Sequence, residues 1–345
     1  MVMKLGDWVG LIALLIALYI LWEIRLLLLL VFAAVVLAVV LQGVVQQLRR
    51  WRIPRGLAIA LTFFTLLGLI GALISWLLPP FTKEFQELVK LLPKGFQALA
   101  RWSAEIQMRL LGEMVFDVTN NGNVIRQLQN LLAPFLGRGI DFFFNTIGGL
   151  LSVILILALA AMFLADPTTY RRGFIRLFPS FYRHRVDTIL QRCEVNLRSW
   201  MLGALTAMTV VGILSFIGLS LLGVRLYFAH ALIAALLNLI PNIGPTMSVI
   251  PPAVVALLDA PWKAIAVVVL YFLIQQNDAY VVTPYVMSQH LELPPALTLI
   301  GQIFFTTFLG LPGLILALPL LVVFRVWIEE ALIKDVLDPW QRWRC

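Results

Sequence analysis

Residues 26–45 read LLLLLVFAAVVLAVVLQGVV, twenty positions with a single polar side chain, Gln42, and no charge. A bilayer hydrocarbon core of about 30 Å is crossed by roughly 20 apolar residues in an α-helix. A helix of that length on a soluble core would show a polar face, and this run has none. Its solvent is therefore lipid. Apolar runs of the same kind recur at 8–21, 56–78, 142–165, 199–222 and 264–283. The whole chain agrees: of 345 residues 61% are hydrophobic and 13% charged, with a mean hydropathy of +0.95, too little polar surface to cover a soluble globule. The expected fold class is all-α, a polytopic helical membrane protein.

The net charge of +8 would suggest a nucleic-acid partner in a soluble protein, but the arginines sit between the apolar runs. Arg49, Arg50, Arg52 and Arg55 follow the second run with no acid among them. Arg171, Arg172, Arg176, Arg183, Arg185, Arg192 and Arg198 follow the fourth, against Asp166, Asp187 and Glu194. Positive residues are retained on the cytoplasmic side. The two clusters lie an even number of crossings apart, so both are expected there, together with the N- and C-termini. The Trp22-Glu23-Ile24-Arg25 turn then falls on the opposite side as a tight helical hairpin. Lys4 before an apolar run resembles a signal peptide, but the next run follows at once and predicts an uncleaved first span. The Arg-rich helices also suit anionic lipid, although a solvated connector accounts for them as well. Cys193 and Cys345 have no metal-ligand spacing and no evident partner.

Pro79-Pro80 closes the third run, because proline cannot continue a helix, and marks its exit on the external face. The following sequence carries charges of both signs and apolar residues at helical spacing: Phe81, Phe85, Leu88, Leu92, then Leu99, Trp102, Ile106, Leu110, then Val124, Leu128, Leu131, Phe135. This predicts extracytoplasmic amphipathic helices, packed over the membrane surface or against a neighbouring subunit. They are expected to be split at Pro93-Lys94-Gly95 and in the Asn/Gly-rich stretch 117–123.

Two apolar runs in the C-terminal half are interrupted. Residues 227–240 and 246–258 flank Pro241-Asn242-Ile243-Gly244-Pro245; residues 296–309 and 314–327 flank Gly310-Leu311-Pro312-Gly313. An arm of about 14 residues reaches roughly 21 Å, short of the ~30 Å hydrocarbon. Each pair is therefore a discontinuous crossing or a re-entrant hairpin. Hairpins entering from opposite faces would put both tips near the midplane. Irregular backbone at that depth needs surrounding protein or a water-filled cavity, and paired broken segments point to a transport site. The resulting organisation is 1–79, three membrane spans; 80–141, extracytoplasmic amphipathic helices; 142–198, a fourth span and Arg-rich connector; 199–328, the transport region with two broken hairpins; and 329–345, a cytoplasmic tail.

Asp278 is the one acid inside a span of the C-terminal half. A carboxylate at membrane depth costs several kcal/mol unless paired, hydrated or protonated, which makes it the coupling-ion candidate. Asn238, Asn242, Gln275, Gln276, Asn277, Gln302, Thr306 and Thr307 offer uncharged hydrogen-bonding groups suited to a neutral hydroxylated solute or a desolvated sodium ion. Adhesion between helices, at about 0.6 kcal/mol per group, is the competing use. At the tips, Gly244, Gly310 and Gly313 allow close backbone approach, while Pro241, Pro245 and Pro312 leave carbonyls free for a cation. No phosphate-binding loop occurs, and His184, His230 and His290 form no zinc motif. The sequence thus points to no enzyme, no cofactor and no metal centre, and to an ion gradient, of Na+ or H+, or a partner as the energy source. A channel at an oligomer axis and a non-transporting scaffold are the alternatives.

At Asn238-Leu239-Ile240-Pro241-Asn242-Ile243-Gly244-Pro245 the chain resembles the autoinducer-2 exporter (AI-2E) family, which carries Ile-Pro-x-Ile-Gly-Pro at this place. Thr283-Pro284-x-Val286-Met287, Gly310-x-x-Gly313 and Ala317-Leu318-Pro319 are similar to further family elements, in the same order over residues 196–325. Gly203-Ala204 stands where a Gly-Gln pair is common, and Gln302-Ile303-Phe304-Phe305-Thr306-Thr307 is more polar than the usual approach to Gly310. The resemblance implies a secondary transporter in a bacterial inner membrane, exporting a small polar solute such as autoinducer-2 or exchanging Na+ and H+. It also implies a homo-oligomer, a pentamer, whose hairpins move against a fixed scaffold.

Overall fold

The structure, a computed structural model, describes residues 12, 15–17, 19–111, 147–282 and 294–338. Among these the chain is helical with short connections and no strand. The helices are α1 (Arg25–Arg50), α2 (Arg55–Leu111), α3 (Ile147–Ala165), α4 (Pro167–Arg176), α5 (Arg183–Leu221), α6 (Tyr227–Leu237), α7 (Ile243–Asp259), α8 (Pro261–Asn277) and α9 (Pro295–Trp327). Five helical stretches are long and apolar enough to cross a membrane, and α3 with α4 makes a sixth if that bent pair is taken as one span. Large apolar side chains such as Leu57, Phe64, Trp76 and Leu151 point outward, as lipid-facing positions must.

The chain forms two compact units that cut across its order. One comprises residues 1–59, 151–198 and 293–345; the other comprises 60–150 and 199–292. In the first unit, α1 and α3 meet through Ala34, Ala38 and Ala160, small residues that let helix backbones approach closely in lipid. The N-terminal turns of α5 meet the end of α9 through Ile189, Cys193 and Val326. Arg55 donates from Nη2 to the Ala165 carbonyl at 3.1 Å, which places the start of the second basic segment beside the end of the first. Past α3, Asp166 caps α4, accepting from the Thr169 amide at 3.2 Å and the Thr168 hydroxyl at 2.8 Å. The chain turns 91° there.

The expected hairpin at Trp22-Glu23-Ile24-Arg25 is instead a bend. Ile24 (φ −89°, ψ 10°) donates to Ile20 O and accepts from Leu28 N, both at 3.0 Å. No residue there readily takes the positive φ that a one-residue reversal would demand.

In the second unit the expected breaks in α2 are absent: the helix runs through Pro79, Pro80 and Pro93. Each proline removes one helical bond and leaves the rest of the ladder intact. Packing also holds the helix together. Phe81, Leu88, Leu92 and Phe96 are buried, and the last three lie on Val254 and Val255 of α7, with Leu226, Ile233, Met247 and Ile250 around them. The predicted amphipathic face thus covers the first broken segment. A β-carbon on Gly95 would come within 2.3 Å of Val254 Cγ1, so the glycine lets α2 approach α7. The 117–123 break and the stripe from Val124 onward lie outside the described residues, as do the side chains of Ile106 and Leu110.

Candidate functional site

In the second unit, α6 and α7 are 11 and 17 residues long, about 16 and 25 Å. Residues 238–242 join them. Leu226 and Ile233 share a core with Met247, Ile250 and Val254, the pairing expected of two arms running antiparallel. The turn is tight: a β-carbon on Gly244 would lie 1.7 Å from the Leu237 carbonyl oxygen. Asn242 takes φ 65° and ψ −50°, the central position of a γ-turn closed by the Ile243 amide on the Pro241 carbonyl at 2.8 Å. This broken segment is a hairpin.

The α8 helix follows α7 across an extended corner at Ala260, with Pro261 at its first position. After Asn277 the helix loosens into a π-helical turn, Asp278–Val282, whose first residue is the buried Asp278. The Asn238 side chain, at the hairpin turn, faces the Asp278 carboxyl group. Asp278 Oδ1 is buried with no hydrogen-bond partner among the described residues. π-Turns in α-helices are rare and occur frequently at functional sites. Of the other predicted residues in this unit, Gln275 is half-buried while Gln276, Asn277 and Asn242 are exposed. Thr246 Oγ1 donates to the Asn242 carbonyl at 3.0 Å, so that carbonyl is engaged within the tip. Ser248 Oγ engages the Pro245 carbonyl at 2.8 Å.

The second broken segment belongs to the first unit. Its backbone bonds read as one helix, α9, but Gly310 adopts φ 69° and ψ −154° inside it. A straight helix would hold residues 301 and 321 about 30 Å apart. Instead the Leu321 side chain covers Gly301, and the Phe305 and Phe324 rings lie 6.3 Å apart. The helix folds back at Gly310, beside Pro312 and Gly313, and forms the second hairpin. Gln302 is buried in its first arm. Thr306 Oγ1 donates to the Gln302 carbonyl and Thr307 Oγ1 to the Ile303 carbonyl, one turn back. Both hydroxyls are therefore committed to their own helix.

Ser215, Tyr271 and His230 are buried polar residues of the second unit that the sequence did not assign to the site. Ser215 and Tyr271 belong to stripes with Val211 and Leu219 on α5 and Val267 and Ile274 on α8. Their hydroxyls face one another without a hydrogen bond of ordinary geometry. His230, fully buried, shares a face of α6 with Ala234 and Asn238, and neither ring nitrogen has a partner among the described residues. Helical spacing around Ser215 and Tyr271 was the available signal. In the first unit, Glu330 is buried among Arg185 at 3.0 Å, Lys334 at 2.6 Å and Arg192. No group of three His, Cys, Asp or Glu side chains able to hold a metal ion occurs among the described residues.

AI-2 transport protein TqsA of Escherichia coli (strain K12) is 25% identical over 86% of this chain and 84% of its own length. YueF of Bacillus subtilis (strain 168) is 25% identical over 82% of this chain and 78% of its own length. YhhT of Escherichia coli (strain K12) is 24% identical over 86% and 82%. The sequence profile of the AI-2E family transporters matches residues 11–333, and the chain is a multi-pass membrane protein that belongs to that family.

Proposed function

We propose that the chain is a secondary transporter in which Asp278 and Asn238 form the coupling and binding centre for a small polar solute or a monovalent cation. The observation that carries this reading is a carboxyl group buried at a hairpin turn, with one oxygen left for a proton, a sodium ion or a solute hydroxyl. Gln275 stands one turn away as a further hydrogen-bonding group. Autoinducer-2 is the first solute to test, on the likeness to TqsA. The cytoplasmic placement of the two basic segments draws support from the Arg55 contact that sets them side by side. A homo-oligomer, a pentamer, with hairpins that enter from opposite faces and move against a scaffold, completes the proposal.

Inside-out vesicles given autoinducer-2 and a panel of other small polar solutes, with sodium and proton gradients imposed separately, test it. Gradient-dependent uptake is expected to be abolished in Asp278→Asn and weakened in Asn238→Ala, at normal protein levels. Unchanged uptake in both variants would sink the site. Single-channel conductance without saturation or counterflow would replace the carrier by a pore.

A further inference from the structure

The fourth span ends at Ala165, and Asp166 turns the chain by 91° into α4. An element at right angles to a spanning helix, beginning where that helix ends, runs along the membrane plane. The Tyr170 ring packs edge-on against Phe163 at 4.9 Å, which ties α4 to the last turn of α3. At 100° per residue, Tyr170, Phe174 and Leu177 share one face, and Arg172 and Arg176 share the opposite one. The apolar face is uncovered: Phe174 is 43% exposed, Leu177 79%, and Phe181, beyond the helix, 86%. Both Arg172 and Arg176 are exposed, and neither guanidinium has a protein partner among the described residues, whereas Arg171 is paired with Asp187 at 2.7 Å.

We infer that residues 167–182 form an anionic-lipid docking element, with Tyr170, Phe174, Leu177 and Phe181 entering the acyl boundary and Arg172 and Arg176 meeting lipid phosphates. Aromatic and leucine side chains opposite unpaired arginines make up the composition that binds in the headgroup layer of a charged leaflet. The element is also joined to the exit of the second hairpin. Phe178 stacks on Trp327 at 5.9 Å, and Tyr182 Oη donates to Asp335 at 2.8 Å. Lipid bound here therefore bears on the arm of α9 that leaves the fold at Trp327.

The test uses the full chain in phosphatidylcholine vesicles, with Cys193→Ser and Cys345→Ser as background and a fluorophore on Leu177→Cys or Phe181→Cys. Brominated phosphatidylcholine or brominated phosphatidylglycerol is added at equal mole fraction. Both labels are expected to be quenched by brominated lipid and shielded from aqueous iodide. Phosphatidylglycerol should associate roughly fivefold more strongly per arginine than phosphatidylcholine, the ratio that about 1 kcal/mol per basic residue at a charged surface corresponds to. Arg172→Gln with Arg176→Gln should bring the two lipids to parity while lipid contact persists. Equal access to iodide, shielding from lipid and iodide alike by a second copy or a partner protein, or parity in the unaltered arginine background would each overturn the inference.

Discussion

The Leu321 side chain covers Gly301 so closely that a β-carbon on the glycine would lie 2.6 Å from Leu321 Cδ1. This contact between positions 301 and 321 separates a folded-back hairpin from a long crossing. A valine at 301 would push the arms apart, although the flexible end of Leu321 can yield somewhat. Gly301→Val is expected to cost about 1–3 kcal/mol, the usual range for overpacking a tight contact. Thermal unfolding of the purified protein in detergent measures it, and adding Leu321→Ala should restore most of the loss.

Gly244 presents a harder obstacle, because its neighbour at 1.7 Å is the Leu237 backbone oxygen. A carbonyl in the last turn of α6 cannot rotate aside as a leucine end can. Gly244→Ala should therefore destabilise more than Gly301→Val, by more than about 3 kcal/mol. The expected result is loss of monodisperse protein on size exclusion, and a yield equal to that of the unaltered chain would contradict the tight turn.

Glu330 has a side chain only 2% exposed among Arg185, Arg192 and Lys334, while Arg185 and Arg192 are 32% and 51% exposed. Breaking a wholly buried pair costs about 3–5 kcal/mol, and solvent around the arginines reduces that here. Glu330→Gln is expected to lose about 2 kcal/mol. Arg192→Gln in the same chain should recover part of it, because one unpaired cation is removed. A double-mutant cycle on thermal midpoints reads the coupling.

Asp166 lies past the end of its span, and hydrogen bonds from the Thr169 side chain, then Thr168 and the Thr169 amide, hold its carboxyl group at about 2, below the ordinary 3.8. A depressed folded value means that the cap's contribution is fully present above the ordinary value and is lost as pH falls through about 2. The 91° bend should loosen over that window. Asp166→Asn keeps an N-cap acceptor without a titrating proton, so its bend should be insensitive to pH over the same range. Spin-label distances between positions 163 and 174 report the angle, and an identical pH response in the two proteins would remove the carboxylate from the account.

Much of the candidate site was legible in the linear pattern. Pro241, Gly244 and Gly310 interrupt apolar runs, and each turned out to lie at a reversal of the chain. Asp278 was identified by being the one acid within a span. Its pairing with Asn238 could not be read, because the two lie on different helices brought together by the α6–α7 turn. Thr306 and Thr307 looked like binding groups in the sequence, yet their hydroxyls return to carbonyls of their own helix, a local choice that composition does not reveal. Pro79, Pro80 and Pro93 misled for a related reason. Each costs one backbone bond, and the packing of Leu88, Leu92 and Phe96 on α7, which joins segments far apart in the chain, keeps the helix continuous.

The sequence by itself determined that this protein is helical, that lipid is its solvent, where most of its spans fall and where two of them break, since each of these follows from side-chain hydropathy summed over one turn or one span. Only the tertiary structure decided what the breaks do. The α6 helix shows the difference: it has no side-chain cap at its own N-terminus, and the Ala229 amide in its first turn is satisfied by Glu84 of α2 at 2.8 Å. A run of apolar residues with a Pro/Gly interruption is compatible with one crossing or with two arms. The choice between them rests on contacts such as Gly301 with Leu321 and Asp278 with Asn238, which join residues far apart in the chain and leave no mark on any local stretch of it.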